Sequence, residues 1–296
     1  MTGDKLKILS VDLLDQHRPL VSELRGLARK LRLEFGWHYL LDLIWVIANL
    51  NFNRNGKVID AGAGVGIMQW YLASKGIEVF SVDRSSRANL GLRFRANFHV
   101  EGLRSNDLAL NQAAWLHDYR NTSGLLAKVK TQVRNLLSFG RMLLPPLGKG
   151  HVYVYNQDLK TLTGIEDESV DAVVALSSLE HNTPEELREV VVELMRVLKS
   201  GGKLLATLGA ARENDWFHEP SKGWNYSETS LRGIFNLDTS TLTNYDQYDE
   251  LFADLKDCAE LRDNLAGFYS RSDDNGMPWG VWDPQYIPVG VCKVKP

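Results

Sequence analysis

The stretch Lys57-Val58-Ile59-Asp60-Ala61-Gly62-Ala63-Gly64-Val65-Gly66 decides the fold. Its first four residues are a short apolar run closed by an acid, the pattern of a buried strand. Three glycines in five residues then make a turn, where backbone angles closed to other residues are open and a ligand can approach the main chain. Ile67 to Ser74 reads as a helix capped near Gly76, and Glu78-Val79-Phe80-Ser81-Val82-Asp83 as a second apolar strand ending in an acid. Strand, glycine turn, helix and strand form one β-α-β unit, which implies a parallel sheet with a right-handed crossover.

Further units follow. His151 to Asn156 is a third strand leading to Asp158-Leu159. Val170 to Leu176 is a fourth, followed by Ser177-Ser178-Leu179-Glu180-His181. Thr183-Pro184-Glu185-Glu186 starts a helix, with Thr as cap, Pro in the first turn and acids on the positive end of the dipole. That helix runs to Leu198 and is stopped by Gly201-Gly202, ahead of a fifth strand over 203–208. Residues 247–265 read as a helix and Ile287 to Val294 as a final strand. Upstream, Leu24, Leu27 and Leu31, then Leu40, Leu43, Ile44 and Ile47, recur at helical spacing, so 11–50 reads as helices. The alternation predicts a Rossmann-like α/β fold, a doubly wound, mostly parallel sheet with N-terminal helices. The expected division is an N-terminal helical lid over 1–55 and a main domain over 56–296, with a helical insertion at 84–150 and aromatic loops within 209–286.

Composition narrows the function. The 296 residues carry a net charge of −3, so the chain as a whole is not a polybasic nucleic-acid binder, and nucleic acid is not the expected partner. Only two cysteines, Cys258 and Cys292, exclude a disulfide framework and a four-cysteine zinc site. No leader pattern opens the sequence, and the most apolar stretch, Leu40 to Leu50, contains Asp42 and is shorter than the about 20 residues a membrane span needs. A cytoplasmic protein is the expectation.

In an open parallel sheet, ligands bind beyond the carboxyl ends of the strands. That rule selects Asp60–Gly66, Asp83, Asp158–Leu159 and Ser177–His181. A dinucleotide fingerprint needs G-x-G-x-x-G, whereas here the spacing is G-x-G-x-G and Ile67 stands where the third glycine would fall. Asp60 would repel a pyrophosphate but suits a ligand with an ammonium group. A nucleoside bearing an amino acid is therefore favoured over a nicotinamide dinucleotide. A nicotinamide-dependent oxidoreductase and a non-catalytic nucleoside-binding protein are the two rival readings.

The run Val58 to Gly66 resembles the first motif of the class I S-adenosylmethionine-dependent methyltransferases. Asp83, Asp158-Leu159, the fourth strand with Leu179-Glu180-His181, and Leu198-Lys199-Ser200-Gly201-Gly202-Lys203 are similar to the later motifs, in order. The resemblance covers residues 56–83 and 151–208. It implies S-adenosylmethionine as cofactor. Asp60, Ala61, Gly62, Ala63, Gly64 and Gly66 would face its methionine part, Asp83 with Arg84 beside it its ribose, and Asp158 and Leu159 its adenine, while Leu176 and Ser177 would lie under the sulfonium. It further implies methyl transfer. The expected acceptor is an oxygen or nitrogen of a small molecule, a secondary metabolite or sugar-like compound to fit the aromatic loops, or a lipid-linked one to fit the basic insertion.

His181 is the expected catalytic base, because it follows the fourth strand. A metal-using subgroup of these enzymes carries E-x-x-E-H at this place; Ser177 stands where its first Glu would be, so no metal is expected. His38, Trp216, His218, Trp224, Tyr226, Trp279 and Trp282 are candidates to line the acceptor pocket; the aromatic residues equally suit a local core that holds long loops.

The insertion is basic, with eleven Lys or Arg against three acids. Within 125–144, Leu126, Val129, Val133, Leu136, Leu137, Leu143 and Leu144 share one helical face flanked by Lys130, Arg134 and Arg141. Three roles fit: packing on the domain with a solvated basic edge, peripheral contact with an anionic membrane or lipid-linked substrate, and binding of a phosphate-bearing acceptor. Packing is the expectation.

Overall fold

The computed structural model describes residues 3–50, 56–267 and 281–296. The chain separates into two compact units, one of residues 1–51 with 165–296 and one of residues 52–164, a division that differs from the expected one at 55/56.

In the larger unit, β1 (Lys5–Ile8) is followed by α1 (Leu13–Gln16), α2 (Arg18–Leu31) and α3 (Tyr39–Asn49). Pro19 sits in the first turn of α2, where its missing N–H costs nothing, so Arg18-Pro19 opens this helix. Helix α3 is apolar almost all round, as a helix enclosed on all sides must be. Leu40 through Ile47 are buried without a break, Asp42 included.

The strands of this unit are β6 (Val170–Leu176), β7 (Leu198–Ala210), β8 (Trp216–His218), β9 (Gly223–Tyr226) and β10 (Ile287–Val294), with helices α8 (Pro184–Val197), α9 (Glu228–Ile234), α10 (Tyr248–Asp257) and α11 (Ala259–Asp263) between them. β6 pairs parallel with β7, and β10 joins antiparallel between β7 and β1. Helix α3 packs on β6, β7 and β10. Gly290 makes room for it, since a Cβ there would come within 2.6 Å of the Trp45 ring.

The smaller unit holds β2 (Lys57–Ala61), α4 (Met68–Ser74), β3 (Glu78–Asp83), α5 (Leu92–Arg95), β4 (His99–Gly102), α6 (Asn111–Asn121), α7 (Leu125–Arg141) and β5 (His151–Asn156). Its strands run in the order β2-β3-β5-β4, all parallel. Asp83 lies opposite Asn156 in register, so the carboxyl ends of β3 and β5 are level.

Several expectations are corrected. The fifth strand begins at Leu198, because a bulge absorbs Lys199–Gly202: Val170 pairs with Leu198 and Ala172 already with Lys203. Gly201, at φ +77°, makes that bulge. The helix over 247–265 breaks at Cys258 into α10 and α11. The insertion is not wholly helical, since β4 extends the parallel sheet, and the loops after the fifth strand contain β8, β9 and α9. The packing expected for 125–144 is overturned: Leu126, Val129, Val133, Leu136, Leu137, Leu143 and Leu144 are all exposed. Among the described residues no helix is long and apolar enough to cross a membrane.

Candidate functional site

In the smaller unit the glycine turn closes against β3. The N–H groups of Gly62 and Ala63 both donate to the Val82 carbonyl, at 2.9 and 3.0 Å. Gly62 and Gly64 have φ of +71° and +47°, which only glycine adopts without strain. The Gly64 N–H donates to Asp83 Oδ2 at 2.8 Å, and the Ser85 N–H to Asp83 Oδ1 at 2.7 Å. Each carboxylate oxygen keeps a lone pair, so Asp83 is held in place and still able to accept from two hydroxyls.

Beneath the turn lies a buried polar network that the sequence reading missed. Gln69 Nε2 donates to the Gly66 carbonyl at 3.1 Å and, more weakly, to those of Ala63 and Gly64. Ser81 Oγ donates to Gln69 Oε1 at 2.7 Å. The Arg87 guanidinium donates to Ser81 Oγ, the Ser81 carbonyl, the Tyr155 carbonyl at 3.2 Å and the Gly64 carbonyl at 3.3 Å. Its backbone N–H donates to Asn156 Oδ1 at 2.9 Å. Arg87 thus ties β3, β5 and the glycine turn together. Arg87 lies four residues past the end of β3 and nothing in the sequence marks it as buried; Arg84, the neighbour the sequence singled out, is exposed.

Asp60 is buried, and its Oδ2 has no hydrogen-bond partner. Loss of hydration raises its pKa to about 7, with Arg87 and the Gln69 backbone N–H opposing the rise and Asp83 adding to it. A buried carboxylate oxygen without a hydrogen bond is costly, and a cation placed against Oδ2 would relieve that cost. This matches the ammonium end of an amino-acid-bearing nucleoside, and the available lone pairs of Asp83 match its ribose. Asp158 lies on the same edge, since the Gln157 N–H donates to the Asp83 carbonyl at 2.9 Å. Its side chain is exposed and accepts the Lys160 N–H at 2.8 Å, and Leu159 is half-buried.

The larger unit holds a second cluster. His38 Nδ1 donates to Asp42 Oδ2 at 2.7 Å, one helical turn away, and both residues are buried. Ser177, at φ +43°, donates from Oγ to the same Asp42 oxygen at 3.2 Å; Asp42 Oδ1 has no partner. Burial opposes a charged His38, but the Asp42 charge and hydrogen bond, with Glu180 beyond, outweigh it and raise the imidazole pKa above 6.5. Glu180 is buried, with Oε2 unpartnered, and desolvation holds its carboxyl above the ordinary range. Aromatic rings surround this dyad. Trp37 and Tyr286 stand edge-on to His38 with centroids 4.4 and 5.7 Å away, Tyr286 reaches His218 at 5.5 Å, and His218 reaches Trp216 at 5.6 Å. Trp282 joins through Trp37 at 6.1 Å. His218 is buried, shares a hydrogen bond with Ser221 Oγ at 2.8 Å and has its pKa lowered by burial.

The remaining expected residues sit elsewhere. His181 is exposed, and its Nδ1 donates to the Lys222 carbonyl at 2.9 Å. Leu176 is buried at the end of β6. Trp224 pairs with Phe217, 5.5 Å away. Tyr226 is fully buried and spends its hydroxyl on the Asn182 carbonyl at 3.0 Å, a core position. Trp279 lies outside the described residues. Among the described residues, no three His, Cys, Asp or Glu side chains are grouped to hold a metal ion.

Residues 127–206, from within α7 through most of β7, match the family described as a methyltransferase domain. No curated protein matches the chain. Among solved structures, it is similar to a SAM-dependent methyltransferase from Methanosarcina mazei at 18% identity, over 64% of this chain and 82% of that one, with a TM-score of 0.39. It is similar to a phosphoethanolamine N-methyltransferase from Haemonchus contortus, bound to phosphomonomethylethanolamine and S-adenosylhomocysteine, at 16% identity over 96% and 59%, with a TM-score of 0.42. A magnesium protoporphyrin IX methyltransferase from Synechocystis with bound SAM is similar at 14% identity over 87% and 80%, with a TM-score of 0.40. The family match covers 80 of the 296 residues and lies wholly downstream of the glycine turn.

Proposed function

We propose that this chain is a class I S-adenosylmethionine-dependent methyltransferase that acts on a hydroxyl group of a small molecule with a flat or apolar body, and that His38 takes the hydroxyl proton. The observation that carries this reading is the buried His38–Asp42 pair among aromatic rings. With Nδ1–H committed to Asp42, the neutral imidazole keeps its lone pair on Nε2, the arrangement of an oriented general base. The Asp42 carboxylate stabilises the imidazolium formed when the proton arrives, and Ser177 holds Asp42 from the other side. Trp37, Tyr286, Trp282 and Trp216 supply ring faces and edges for the body of the acceptor.

S-adenosylmethionine supplies a methyl group already activated on a positively charged sulfur. In this reading Asp60 pairs with the ammonium, the turn from Ala61 to Gly66 follows the methionine backbone, Asp83 accepts from the ribose hydroxyls and Asp158 with Leu159 reads the adenine edge. The protein then needs to hold the acceptor oxygen in line and to receive one proton.

The test is transfer of labelled methyl from the cofactor to a panel of phenols, sugars and aliphatic alcohols. His38→Gln should lower transfer by roughly 10²–10⁴-fold, the scale of general base catalysis, with cofactor affinity unchanged. If His181→Gln produces that loss and His38→Gln does not, the base is His181. Label on an amine alone would overturn the hydroxyl acceptor.

A further inference from the structure

Helix α7 is built with its polarity reversed relative to the body it rests on. Thr131 and Asn135 are turned inward, at 3% and 6% exposure, whereas Leu126, Val133 and Leu137 stand outward at 87%, 51% and 64%. The inward side is tied to α6 and its C-terminal end by hydrogen bonds: Trp115 Nε1 donates to Gln132 Oε1 at 2.6 Å, and the Thr122 and Thr131 hydroxyls share one at 3.3 Å, while Asn135 Nδ2 is buried without a partner. The exposed leucines are therefore not an unfinished core. A surface helix normally does the opposite, and a contiguous apolar face in water marks a contact surface.

Charge identifies the other side of that contact. Along the exposed face run the exposed Lys130 and Arg134. Residues 119–157 contain six Lys or Arg and no Asp or Glu, in a chain whose net charge is −3. An apolar stripe edged by cations, without any acid, complements a surface that is apolar inside and anionic outside. A second copy of this chain would set basic rim against basic rim across a two-fold axis, which like charges oppose. Nucleic acid would leave the leucines unburied. The helix has 17 residues, about 25 Å at 1.5 Å per residue, too short to span a bilayer of about 30 Å and suited to lying along it.

We propose that α7 is a peripheral docking helix for membranes rich in anionic lipid. Leu126, Val133, Leu136 and Leu137 enter the acyl boundary, while Lys130 and Arg134 meet lipid phosphates. The placement is independent of the identity of the methyl acceptor.

The test is co-sedimentation of the full chain with vesicles of phosphatidylcholine, pure or with about 30% phosphatidylserine. Binding should be confined to the anionic vesicles and should weaken several-fold at roughly 0.5 M salt. Lys130→Glu should cost at least about fivefold in partitioning. Leu136→Asn with Leu137→Asn should reduce it at least about tenfold. Circular dichroism and cofactor binding should be unchanged in both variants, because all three side chains are exposed. Equal binding to pure phosphatidylcholine would overturn the role of the basic edge. No binding to either vesicle, with a concentration-dependent dimer abolished by the leucine variant, would assign the face to a second copy instead.

Discussion

His38, at the N-cap of α3, meets Asp42 in the first turn of that largely apolar helix, with Nδ1 2.7 Å from Oδ2. A buried carboxylate in such a helix needs a partner, and His38 with Ser177 provides one. The pair converts an electrostatic liability into an oriented imidazole.

The first prediction concerns the pH profile of methyl transfer. His38 must be neutral to act as a base, and Asp42 raises its pKa. The rate should therefore climb with pH through an inflection above about 6.5. Asp42→Asn removes the raising charge, so the inflection should move to lower pH while the maximal rate falls. An inflection that stays in place would mean that another group titrates.

The same pair governs stability. Folded His38 holds its proton more tightly than the unfolded chain does, so its contribution is fully present below the unfolded value of about 6.5. It should fade as pH rises through the folded value. Thermal unfolding across this range should show the decline in the wild type and a flatter curve in His38→Gln.

Asp60 makes the opposite kind of statement about the cofactor. Its carboxyl keeps a proton up to about pH 7 in the free protein. Pairing with an ammonium would expel that proton. Cofactor affinity should then rise with pH up to about 7 and level off. Calorimetry near pH 6 in buffers of different ionisation enthalpy should detect close to one proton released per cofactor bound. Asp60→Asn should abolish both the release and the pH dependence.

Asp83→Ala should weaken cofactor binding by roughly 1.5–3 kcal/mol, the scale for hydrogen bonds to a charged group. Titration with S-adenosylhomocysteine reads this directly. Unchanged affinity would remove Asp83 from the site. Nicotinamide dinucleotide should not compete in the same assay.

Arg87→Met should destabilise the fold by about 3 kcal/mol or more, because it strips a buried charge from Asp83, Asp60 and Asp107 and frees several carbonyls. Denaturant midpoints measure it. The variant should also bind cofactor more weakly than its residual folded fraction accounts for.

What could be read from the sequence was what local chemistry determines. Thr183 caps α8 as expected, and Glu186 completes a capping box, each side chain accepting the other's backbone N–H, because every participant lies within four residues. Strands β3 and β10 have their expected limits, because long apolar runs between turns leave little choice. Strands β1, β4, β8 and β9 have only three or four residues each and exist through pairing with distant partners, so no local pattern announces them. Asp60, Asp83 and the glycine turn were legible for the same reason, since each closes a short apolar strand. The His38–Asp42–Ser177 cluster was not: His38 and Ser177 are joined through Asp42, and Asp42 in sequence looks like a flaw in an apolar helix. The i, i+4 spacing of His38 and Asp42 was the one available hint. Helix α7 misled because its periodicity is right and its orientation inverted, and periodicity does not say which face turns inward.

The Arg87 guanidinium has one more consequence. It is at once the positive countercharge beneath Asp60 and Asp83 and the clasp that fastens the glycine turn to two strands. Electrostatics and shape around the turn are therefore welded to a single side chain. A substitution that retunes one disturbs the other, so this position offers no neutral route to a different charge balance beside the two acids.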